Sequence, residues 1–534
     1  MKNNLYRYGM LFLIANQSVS ALGDQGNEQK NVLIEKEEKP NILVIMSDEH
    51  PWWYSGAYGH ENMITPNIDK LAEKGIVFDA AYTPSPMCAP ARASLLTGRH
   101  VTFHEVWDNS APLRDDLPTY AHSFTTAGYR TIYAGKMHVM GANQLHGFME
   151  RWTQTNYPAT FDWTQSNRHG AHVNQGQNIE RVFEAGVGRT TDYCLDDETL
   201  FRTKHGLRYL NRLEDDRPFL IQVNFNHPHY PFVAPQEYYD MYSYEDVIMP
   251  ELPEDFWNPE NLENESSHLQ WARQHGKLHK PVPDDVLLRA SRAIKARTTI
   301  LDKYIGEIID LLKELDMYDN TIIVYTSDHG SHMGERGLWH KNTALDPSAK
   351  IPMIFAGPNI PGGRRTSEVV SLTDFGPTLT SLAGIDMIYP VTDGRDFSDL
   401  VLGKRESVDG LVIFEQYGEG THRGYRMVRK GKYKLIYVPD YTAGGGVDLY
   451  DLENDPGEWN DLSEKEEYQD ILNELTQIVL EGWINHEELD ERRWLSEERR
   501  LSIMKAPTPA WNYKPPPVPH PVTGFGVEEY WVKD

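Results

Sequence analysis

Short, continuous apolar runs recur through this chain, and they constrain its fold more than any other feature. The first run, residues 41–46, has no alternation of apolar and polar side chains and stops at an acidic pair. Similar runs lie at residues 130–134, 218–225, 321–325 and 352–355. Such runs are typical of strands that are buried on both faces of a sheet. We therefore predict a sheet of buried, largely parallel strands.

Amphipathic helical patterns lie between these runs. Residues 293–316 carry isoleucine and leucine at helical spacing, and Thr65-Pro66 opens a short helix that ends at Gly75. Proline at the first helical position and glycine just past the end are ordinary signals of a helix start and end. Buried strands alternating with amphipathic helices predict an α/β domain, with a large, mostly parallel sheet sandwiched by helices.

The alternation of buried apolar runs with amphipathic helices ends at about residue 410. Residues 425–438 alternate and turn at a Lys-Gly pair, which predicts a β-hairpin, and an amphipathic helix is predicted at about 463–483. We therefore assign residues 39–410 to the large α/β domain and residues 411–495 to a smaller C-terminal α+β domain.

Both ends of the chain differ from these domains. Residues 1–21 have a positive start, an apolar run at 9–15 and small residues near the end, which favours a secretory signal peptide over a frayed helix. We expect an exported protein, periplasmic or secreted. Residues 22–38 are polar and charged, which indicates a linker, and the proline-rich residues 496–534 predict an extended tail. No run approaches the ~20 apolar residues of a membrane helix, so we expect no stable membrane insertion.

Composition excludes some classes of partner. Among 534 residues, 52 are Lys or Arg and 79 are Asp or Glu, for a net charge of −27. Nucleic-acid binding depends on Lys and Arg, so we expect no nucleic-acid partner. With this net charge, an anionic substrate would need a local cluster of basic residues.

The two cysteines, Cys88 and Cys194, exclude a disulfide framework, and we expect Cys194 to be a buried thiol. The composition leaves open whether like chains form a homo-oligomer.

Pairs of polar residues follow four of the predicted strands. These pairs are Asp48 and Glu49, Lys136 and His138, His227 and His229, and Asp328 and His329. In an open α/β sheet, ligands bind outside the carboxyl ends of the strands. Carboxylates that converge there would make an oxygen-rich site for Ca²⁺ or Mg²⁺, and the lysine and histidines would supply cations for an anion. Any single pair could equally be a solvated strand end.

The most specific motif is residues 88–99, CAPARASLLTGR. Cys88 beside proline and Arg92 would by itself fit either a low-pKa thiolate nucleophile or a plain loop cysteine. The run also resembles the signature of the type I sulfatases, C-x-P-x-R followed by L-T-G-R, at every defining position. In that family the cysteine is oxidised to formylglycine, whose hydrated aldehyde supplies the nucleophilic oxygen. The resemblance thus implies a formylglycine-generating maturation enzyme as a partner.

This resemblance extends over nearly the whole chain and implies an alkaline-phosphatase-like fold. Further segments that resemble the family are residues 40–48, 65–72, 327–330, 334–337, 373–379 and 449–456. Four segments look closest to choline sulfatases: residues 107–109, 135–138, 144–148 and 157–159.

The resemblance also implies a metal site that holds one divalent ion, Ca²⁺. Its residues are Asp48, Glu49, Cys88, Asp328 and His329. Two positions depart from the family pattern, because Glu49 stands where many members have aspartate and His329 where many have asparagine. Imidazole suits transition metals better than calcium, so His329 could instead contact the ester or the nucleophile.

Catalytic roles are implied in the same way. Formylglycine from Cys88 is the nucleophile, held by Arg92, and Lys136 and Lys341 grip the sulfate oxygens. His138 deprotonates the nucleophile's second hydroxyl, and His229, in its H-x-P frame, protonates the leaving group. We expect His227 to be structural. We also expect both lysines to be exposed strand-end cations.

These observations predict a secreted sulfatase acting on a sulfated polysaccharide or oligosaccharide. Export favours a large substrate, whereas the central segments favour choline sulfate. Candidate substrate contacts are Trp52, Trp107 and Asn109. The sequence also leaves open a phosphate or phosphonate ester hydrolase and a non-catalytic glycan-binding relative.

Overall fold

The computed structural model describes residues 39–482 except 110, 142, 154–178, 214, 390–391, 419–420, 422–423 and 440–444. The predicted signal peptide, linker and tail lie outside the described residues, as do residues 157–159 and 483–495. None of the helices in the described ranges is long and apolar enough to cross a membrane.

Sixteen strands form the sheets of the described residues. They are β1 Asn41–Asp48, β2 Gly75–Tyr82, β3 Arg130–Gly135, β4 Glu150–Arg151, β5 Gly186–Val187, β6 Phe219–Pro228, β7 Val233–Ala234, β8 Thr321–Ser327, β9 His332–Met333, β10 Trp339–His340, β11 Met353–Ala356, β12 Arg364–Ser371, β13 Leu411–Gln416, β14 Tyr425–Lys430, β15 Tyr433–Val438 and β16 Gly446–Asp451.

The main sheet has eight strands in the order β12-β2-β11-β8-β1-β6-β3-β4. All five apolar runs are strands of this sheet, namely β1, β3, β6, β8 and β11. β1 pairs in parallel with both β6 and β8. β11 is antiparallel to both of its neighbours, so the sheet is mixed, with a parallel majority. The predicted fold class is therefore confirmed, with one reversed strand that a buried apolar run does not reveal.

Fourteen α-helices lie in the described ranges, and several of them cover the two faces of the main sheet. They are α1 Pro66–Glu73, α2 Cys88–Thr97, α3 Val101–His104, α4 Tyr120–Thr126, α5 Glu180–Phe183, α6 Thr191–Leu210, α7 Gln236–Tyr239, α8 Pro259–Glu263, α9 Ser267–Gly276, α10 Asp284–Glu314, α11 Asp346–Ala349, α12 Phe375–Leu382, α13 Ser398–Val401 and α14 Gln469–Leu480. Successive side chains of β1 enter two apolar clusters. Ile42 and Val44 join one with residues of α2, α4 and α12, and Leu43 joins another with residues of α1, α6 and α10. This alternation explains the uninterrupted apolar run.

Gly75 has a different role from the predicted helix end. α1 ends at Glu73, and Gly75 is the first residue of β2. A Cβ atom on Gly75 would lie 1.9 Å from the carbonyl oxygen of Phe355 in β11. Close approach of two strands therefore requires this glycine.

The C-terminal part forms a second, antiparallel sheet in the order β13-β14-β15-β16. The predicted hairpin is formed by β14 and β15. The domain assigned from the sequence starts at residue 411, and β13 begins at the same residue, Leu411. α14 covers one face of this sheet through Leu475 and Val479. Phe414 and Ile436 join a cluster that also contains Tyr82 of the main sheet. The two sheets thus share a core.

Candidate active site

Cys88 lies at the first position of α2, directly after the loop that follows β2. Its sulfur is buried and lies 3.2 Å from Nε2 of His329 and 3.2 Å from Nζ of Lys341. Oδ1 of Asp48 lies 3.7 Å away and Nζ of Lys136 3.9 Å away. Residues that are up to 253 positions apart in sequence therefore meet at this one side chain.

The environment of the thiol does not fit a low-pKa nucleophile. Burial raises the pKa of Cys88 to about 12, and the carboxylate of Asp48 adds to the rise. Lys136 and Lys341 oppose this shift without overcoming it. A thiol with this pKa stays protonated near neutral pH, and the protonated form is a poor nucleophile. The unmodified cysteine is therefore unsuited to attack an ester by itself.

Two buried aspartates face Cys88 from neighbouring strands. Asp48 ends β1, and Asp328 directly follows the parallel strand β8. Nε of Arg92 donates to Oδ2 of Asp328 at 2.9 Å, and Nη2 of Arg92 lies 3.3 Å from Oδ2 of Asp48. Burial alone would raise the pKa of Asp48, but Lys136, His229 and Arg92 together hold it well below its usual range. Near neutral pH, where His229 is uncharged, the cations Lys136 and Arg92 thus favour an ionised carboxylate.

His329 completes a group of four potential metal ligands. Its Nδ1 lies 2.9 Å from the carbonyl oxygen of Gly330 and must carry the proton to donate there, so Nε2 presents a lone pair towards Cys88. The ligand atoms of Asp48, Cys88, Asp328 and His329 all lie within 4.8 Å of one another. Two carboxylates and a bare imidazole nitrogen fit one divalent cation, with residue 88 beside it.

Glu49 lies next to this group and makes different contacts. Its backbone is left-handed, with φ 57°, and its carboxylate accepts from Nζ of Lys341 at 2.9 Å and from Oγ of Ser331 at 3.0 Å. Burial raises the pKa of Glu49, but Lys341, the hydrogen bond with His340 and the charge of His229 together outweigh burial, and the net shift is well downward. With Asp48 and His229 it forms a second cluster of possible ligands. Its carboxylate is thus chiefly the counter-ion of Lys341.

Lys136 and Lys341 are buried, and the expectation that they are exposed is wrong. Their side chains are each 1% exposed. Lys136 forms an ion pair with Asp48, and Lys341 forms one with Glu49. Both cations point inward at Cys88 rather than outward into solvent. The carbonyl oxygen of Lys136 also accepts from Tyr133 at 2.9 Å and Asn224 at 3.0 Å, which fixes the backbone that follows β3.

The two predicted catalytic histidines are held neutral. Burial lowers the pKa of His138 well below its usual value, and the cations Lys136 and Arg92 lower it further. Burial likewise lowers the pKa of His229 to about 3, although Asp48 opposes the shift. Nδ1 of His229 donates to the carbonyl oxygen of Tyr230 at 2.6 Å, which leaves Nε2 facing Glu49 at 3.5 Å.

Asp196 of α6 holds the end of β6, directly before His229, and the sequence did not indicate this residue. Its carboxylate accepts from the backbone amides of Asn226 and His227 at 2.8 Å each. Nδ1 of His227 lies 2.5 Å from the same carboxylate. The predicted structural role of His227 fits this contact. Asp196 belongs to no motif, and a single buried acid in a helix leaves no pattern in the sequence.

The predicted substrate contacts lie at three different places. Trp107 is 1% exposed and packs edge-on against Tyr417. Asn109 accepts from the backbone amide of Ala89 at 3.0 Å, so it stabilises the start of α2. Trp52 is half-buried. Cys194 is exposed on α6, so the expectation of a buried thiol is wrong.

Taken together, these side chains make a buried anion site. Arg92, Lys136 and Lys341 bring three cations to Cys88, and the start of α2 adds the positive end of a helix dipole. The arrangement can hold a tetrahedral anion next to residue 88 and stabilise charge on its oxygens.

Comparison with known proteins relates this geometry to known chemistry. The sulfatase family profile matches residues 40–385, and a profile described as N-sulphoglucosamine sulphohydrolase, C-terminal, matches residues 334–483. A choline-sulfatase of Rhizobium meliloti is 37% identical, over 80% of this chain and 83% of that protein. An arylsulfatase of Clostridium perfringens is 30% identical, over 84% of this chain and 95% of that protein.

Solved structures show the same fold. A phosphonate monoester hydrolase of Agrobacterium radiobacter has a TM-score of 0.66 at 23% identity and covers 83% of this chain and 95% of its own. A 2-O GAG sulfatase has a TM-score of 0.65 at 25% identity and covers 87% of this chain and 94% of its own.

Proposed function

The chain belongs to the sulfatase family and is a sulfuric ester hydrolase, and on that premise we propose that it uses a formylglycine made from Cys88 to hydrolyse a sulfated polysaccharide or oligosaccharide. The observation that carries this proposal is the position of Cys88, enclosed by Arg92, Lys136 and Lys341 and followed by the complete C-x-P-x-R pattern.

The buried environment of residue 88 supports a formylglycine at this position. The pKa of about 12 leaves the thiol inert, so the buried position needs another nucleophile. Formylglycine would supply a hydrated aldehyde oxygen there, and a divalent cation held by Asp48, Asp328 and His329 would act as a Lewis acid towards sulfate. Members of the sulfatase family usually carry both a formylglycine and a divalent metal ion. We propose Ca²⁺ from the family resemblance, with the imidazole of His329 as the donor least suited to it.

Each remaining residue then has a role of its own. Lys136 and Lys341 bind sulfate oxygens and stabilise the charge that spreads over them in the transition state. His138 is neutral and can accept a proton from the nucleophile side. His229 presents Nε2 on the side of Glu49 and donates a proton to the leaving alcohol once the anionic substrate raises its pKa.

Two lines of support favour a carbohydrate substrate. The signal peptide predicted at residues 1–21 would export the enzyme after a formylglycine-generating enzyme of the host has matured it. Export suits a substrate too large to enter the cell. Relatives at lower identity include an ulvan-active sulfatase at 27% and an N-acetylglucosamine-6-O-sulfatase at 24%.

Choline sulfate is the second candidate. It is favoured by the 37% identity to the choline-sulfatase of Rhizobium meliloti, which exceeds the identity to the carbohydrate sulfatases just named. An aromatic ring near the site could hold a quaternary ammonium by cation–π attraction as well as a sugar face, although Nζ of Lys350 already lies 3.5 Å from the centre of the Trp52 ring.

Two experiments test the proposal. Peptide mass spectrometry of active enzyme from a maturation-competent host should show loss of sulfur and gain of an aldehyde oxygen within residues 87–92. An unmodified thiol in fully active enzyme would overturn the formylglycine mechanism. Sulfate release is then compared among glycan oligosaccharides, choline sulfate and an aryl sulfate, and phosphate release from an aryl phosphate is measured as a control. Turnover of choline sulfate without turnover of any glycan would overturn the carbohydrate assignment.

A further inference from the structure

A buried lysine of the C-terminal domain, Lys434 of β15, contacts a segment of the large domain. Its side chain is 0% exposed, and its ammonium group donates to the carbonyl oxygen of Ala344 at 3.0 Å. It also forms ion pairs with Asp346 at 2.5 Å and with Glu458 at 2.6 Å. Ala344 and Asp346 lie shortly after Lys341 in the chain, whereas Glu458 follows β16. Lys434 therefore joins the C-terminal domain to the segment that carries a cation of the active site.

The backbone around Lys341 has an uncommon conformation. The residues on either side of it, His340 and Asn342, are both left-handed, with φ 65° and φ 79°. Residues other than glycine adopt this conformation rarely, and they keep it where contacts from the surrounding structure hold the chain. The position of the Lys341 ammonium at Cys88 therefore depends on what holds the chain before and after this residue.

The chain before Lys341 is held within the large domain. β10 pairs with β9, so that His340 lies opposite His332 and Trp339 lies opposite Met333. Nε2 of His332 also lies 2.8 Å from the hydroxyl oxygen of Thr343, beyond the lysine. These contacts hold the segment from one side.

The chain after Lys341 is held by the C-terminal domain. The carboxylate of Glu458 accepts from the backbone amide of Asp346 at 2.8 Å, in addition to its ion pair with Lys434. The hydroxyl group of Tyr425 in β14 hydrogen-bonds to the backbone of Ala344. Asp346 also accepts from a residue of the main sheet, Tyr82, at 2.9 Å. Most of the contacts just described at residues 344–346 thus come from the C-terminal domain, and Lys434 makes two of them.

We propose that Lys434 is a positioning residue for Lys341: by holding residues 344–346 it keeps the Lys341 ammonium at residue 88, where sulfate binds. The inference rests on the proposed function, in which Lys341 binds sulfate oxygens. A preorganised cation stabilises a transition state only in the correct place, and a displacement of about 1 Å can cost on the order of a hundredfold in rate. The C-terminal domain thus contributes to turnover through a residue that does not contact the substrate.

A double-mutant cycle tests whether Lys434 acts through Lys341. The value of kcat/KM for an aryl sulfate is measured in the enzyme with formylglycine for Lys434→Met, for Lys341→Ala and for the two combined. We expect Lys434→Met to lower kcat/KM about tenfold to a hundredfold when Lys341 is present. In the Lys341→Ala background it should lower kcat/KM at most about twofold, because an absent ammonium cannot be misplaced. Equal losses in the two backgrounds would overturn the proposal.

Two further variants separate positioning from a general loss of stability. Lys434→Arg keeps the charge and should lose less activity than Lys434→Met. Arg426→Met is the matched control, because Arg426 of β14 is also a buried cation, paired with the buried Glu415, and it donates to the carbonyl oxygen of Val479 in α14. Its loss should lower kcat/KM by the same factor with and without Lys341.

Hydrogen–deuterium exchange tests the same contacts without catalysis. In Cys88→Ala protein, an added Lys434→Met should raise amide exchange within residues 343–346 about tenfold and leave exchange in β1 unchanged. Unchanged exchange within residues 343–346 would overturn the proposal even where activity falls. If Lys434→Met does not fold, Lys434→Met combined with Glu458→Gln takes its place, because it removes one of the two carboxylate charges left without a lysine. Absence of ester hydrolysis in the unaltered, matured enzyme would overturn the proposed function, while exchange would still show whether Lys434 holds the segment.

Discussion

The imidazole of His329 is fixed between a backbone carbonyl and Cys88. Its Nδ1 lies 2.9 Å from the carbonyl oxygen of Gly330, and its Nε2 lies 3.2 Å from the sulfur of Cys88. The ring therefore cannot turn without losing a buried hydrogen bond, and it presents one defined tautomer. This orientation makes His329 a possible nitrogen ligand for a metal ion, beside the two carboxylates of Asp48 and Asp328.

Metal selectivity should follow from this nitrogen ligand. Imidazole favours Zn²⁺ over Ca²⁺, whereas an amide oxygen favours Ca²⁺. We expect His329→Asn to shift the ratio of Zn²⁺ to Ca²⁺ affinity towards Ca²⁺ by on the order of tenfold. Competitive titration of the metal-free protein, with bound ions measured by mass spectrometry, checks this. His332→Asn serves as a control, because His332 lies outside the group of possible ligands. Identical ratios in His329→Asn and the unaltered enzyme would show that Nε2 does not bind the ion.

Removal of Lys341 should reduce both activity and stability. Its Nζ contacts Cys88 and is the buried counter-ion of Glu49. We expect Lys341→Ala to lower turnover on the order of 10²–10³, as for other preorganised charge donors. Because Glu49 is left buried without its lysine, the free energy of unfolding should also fall by about 3–5 kcal/mol. Kinetic assays and urea denaturation measure the two effects.

A paired variant separates these two effects. Adding Glu49→Gln to Lys341→Ala removes the unpaired charge, so it should restore part of the stability without restoring turnover. Full turnover in the double variant would mean that Lys341 acts only through Glu49 and does not bind sulfate.

Most residues that meet around Cys88 could be named from the sequence, but their burial and contacts could not. Asp48 and Asp328 could be placed together because parallel strands bring their carboxyl ends to one edge. The burial of Lys341 could not be predicted, because its counter-ion Glu49 comes from a distant segment of the chain. The antiparallel direction of β11 could not be predicted either, since a strand buried on both faces has the same apolar composition in either direction.

Asp196 should act as a positioning residue for His229. Its carboxylate accepts from four donors of Asn226 and His227 at the end of β6, and an asparagine could accept from only some of them. We expect Asp196→Asn to lower kcat by up to about 10² for esters of poor leaving groups, such as alkyl alcohols, and much less for nitrophenyl sulfate. A plot of log kcat against the pKa of the leaving group measures this dependence. Glu198→Gln, at an exposed position of the same helix where the carboxylate faces Arg202, is the matched control. An equal loss for every leaving group would indicate a purely structural role.

Glu335 should make the stability of the enzyme fall as pH rises. Burial raises the pKa of this carboxyl group to about 7, from an ordinary value of 4.5. Between these values the folded protein holds a proton that the unfolded chain has released, so this stabilisation is complete below pH 4.5 and is lost as pH rises through 7. Glu335→Gln keeps an oxygen that can accept from Met333 but does not titrate. Between about pH 5 and pH 8, the unaltered enzyme should therefore lose about 2 kcal/mol more of its free energy of unfolding than Glu335→Gln does. Urea denaturation at the two pH values, without glycan, measures this difference, and equal losses in both proteins would show that Glu335 is ionised in the folded state throughout this range.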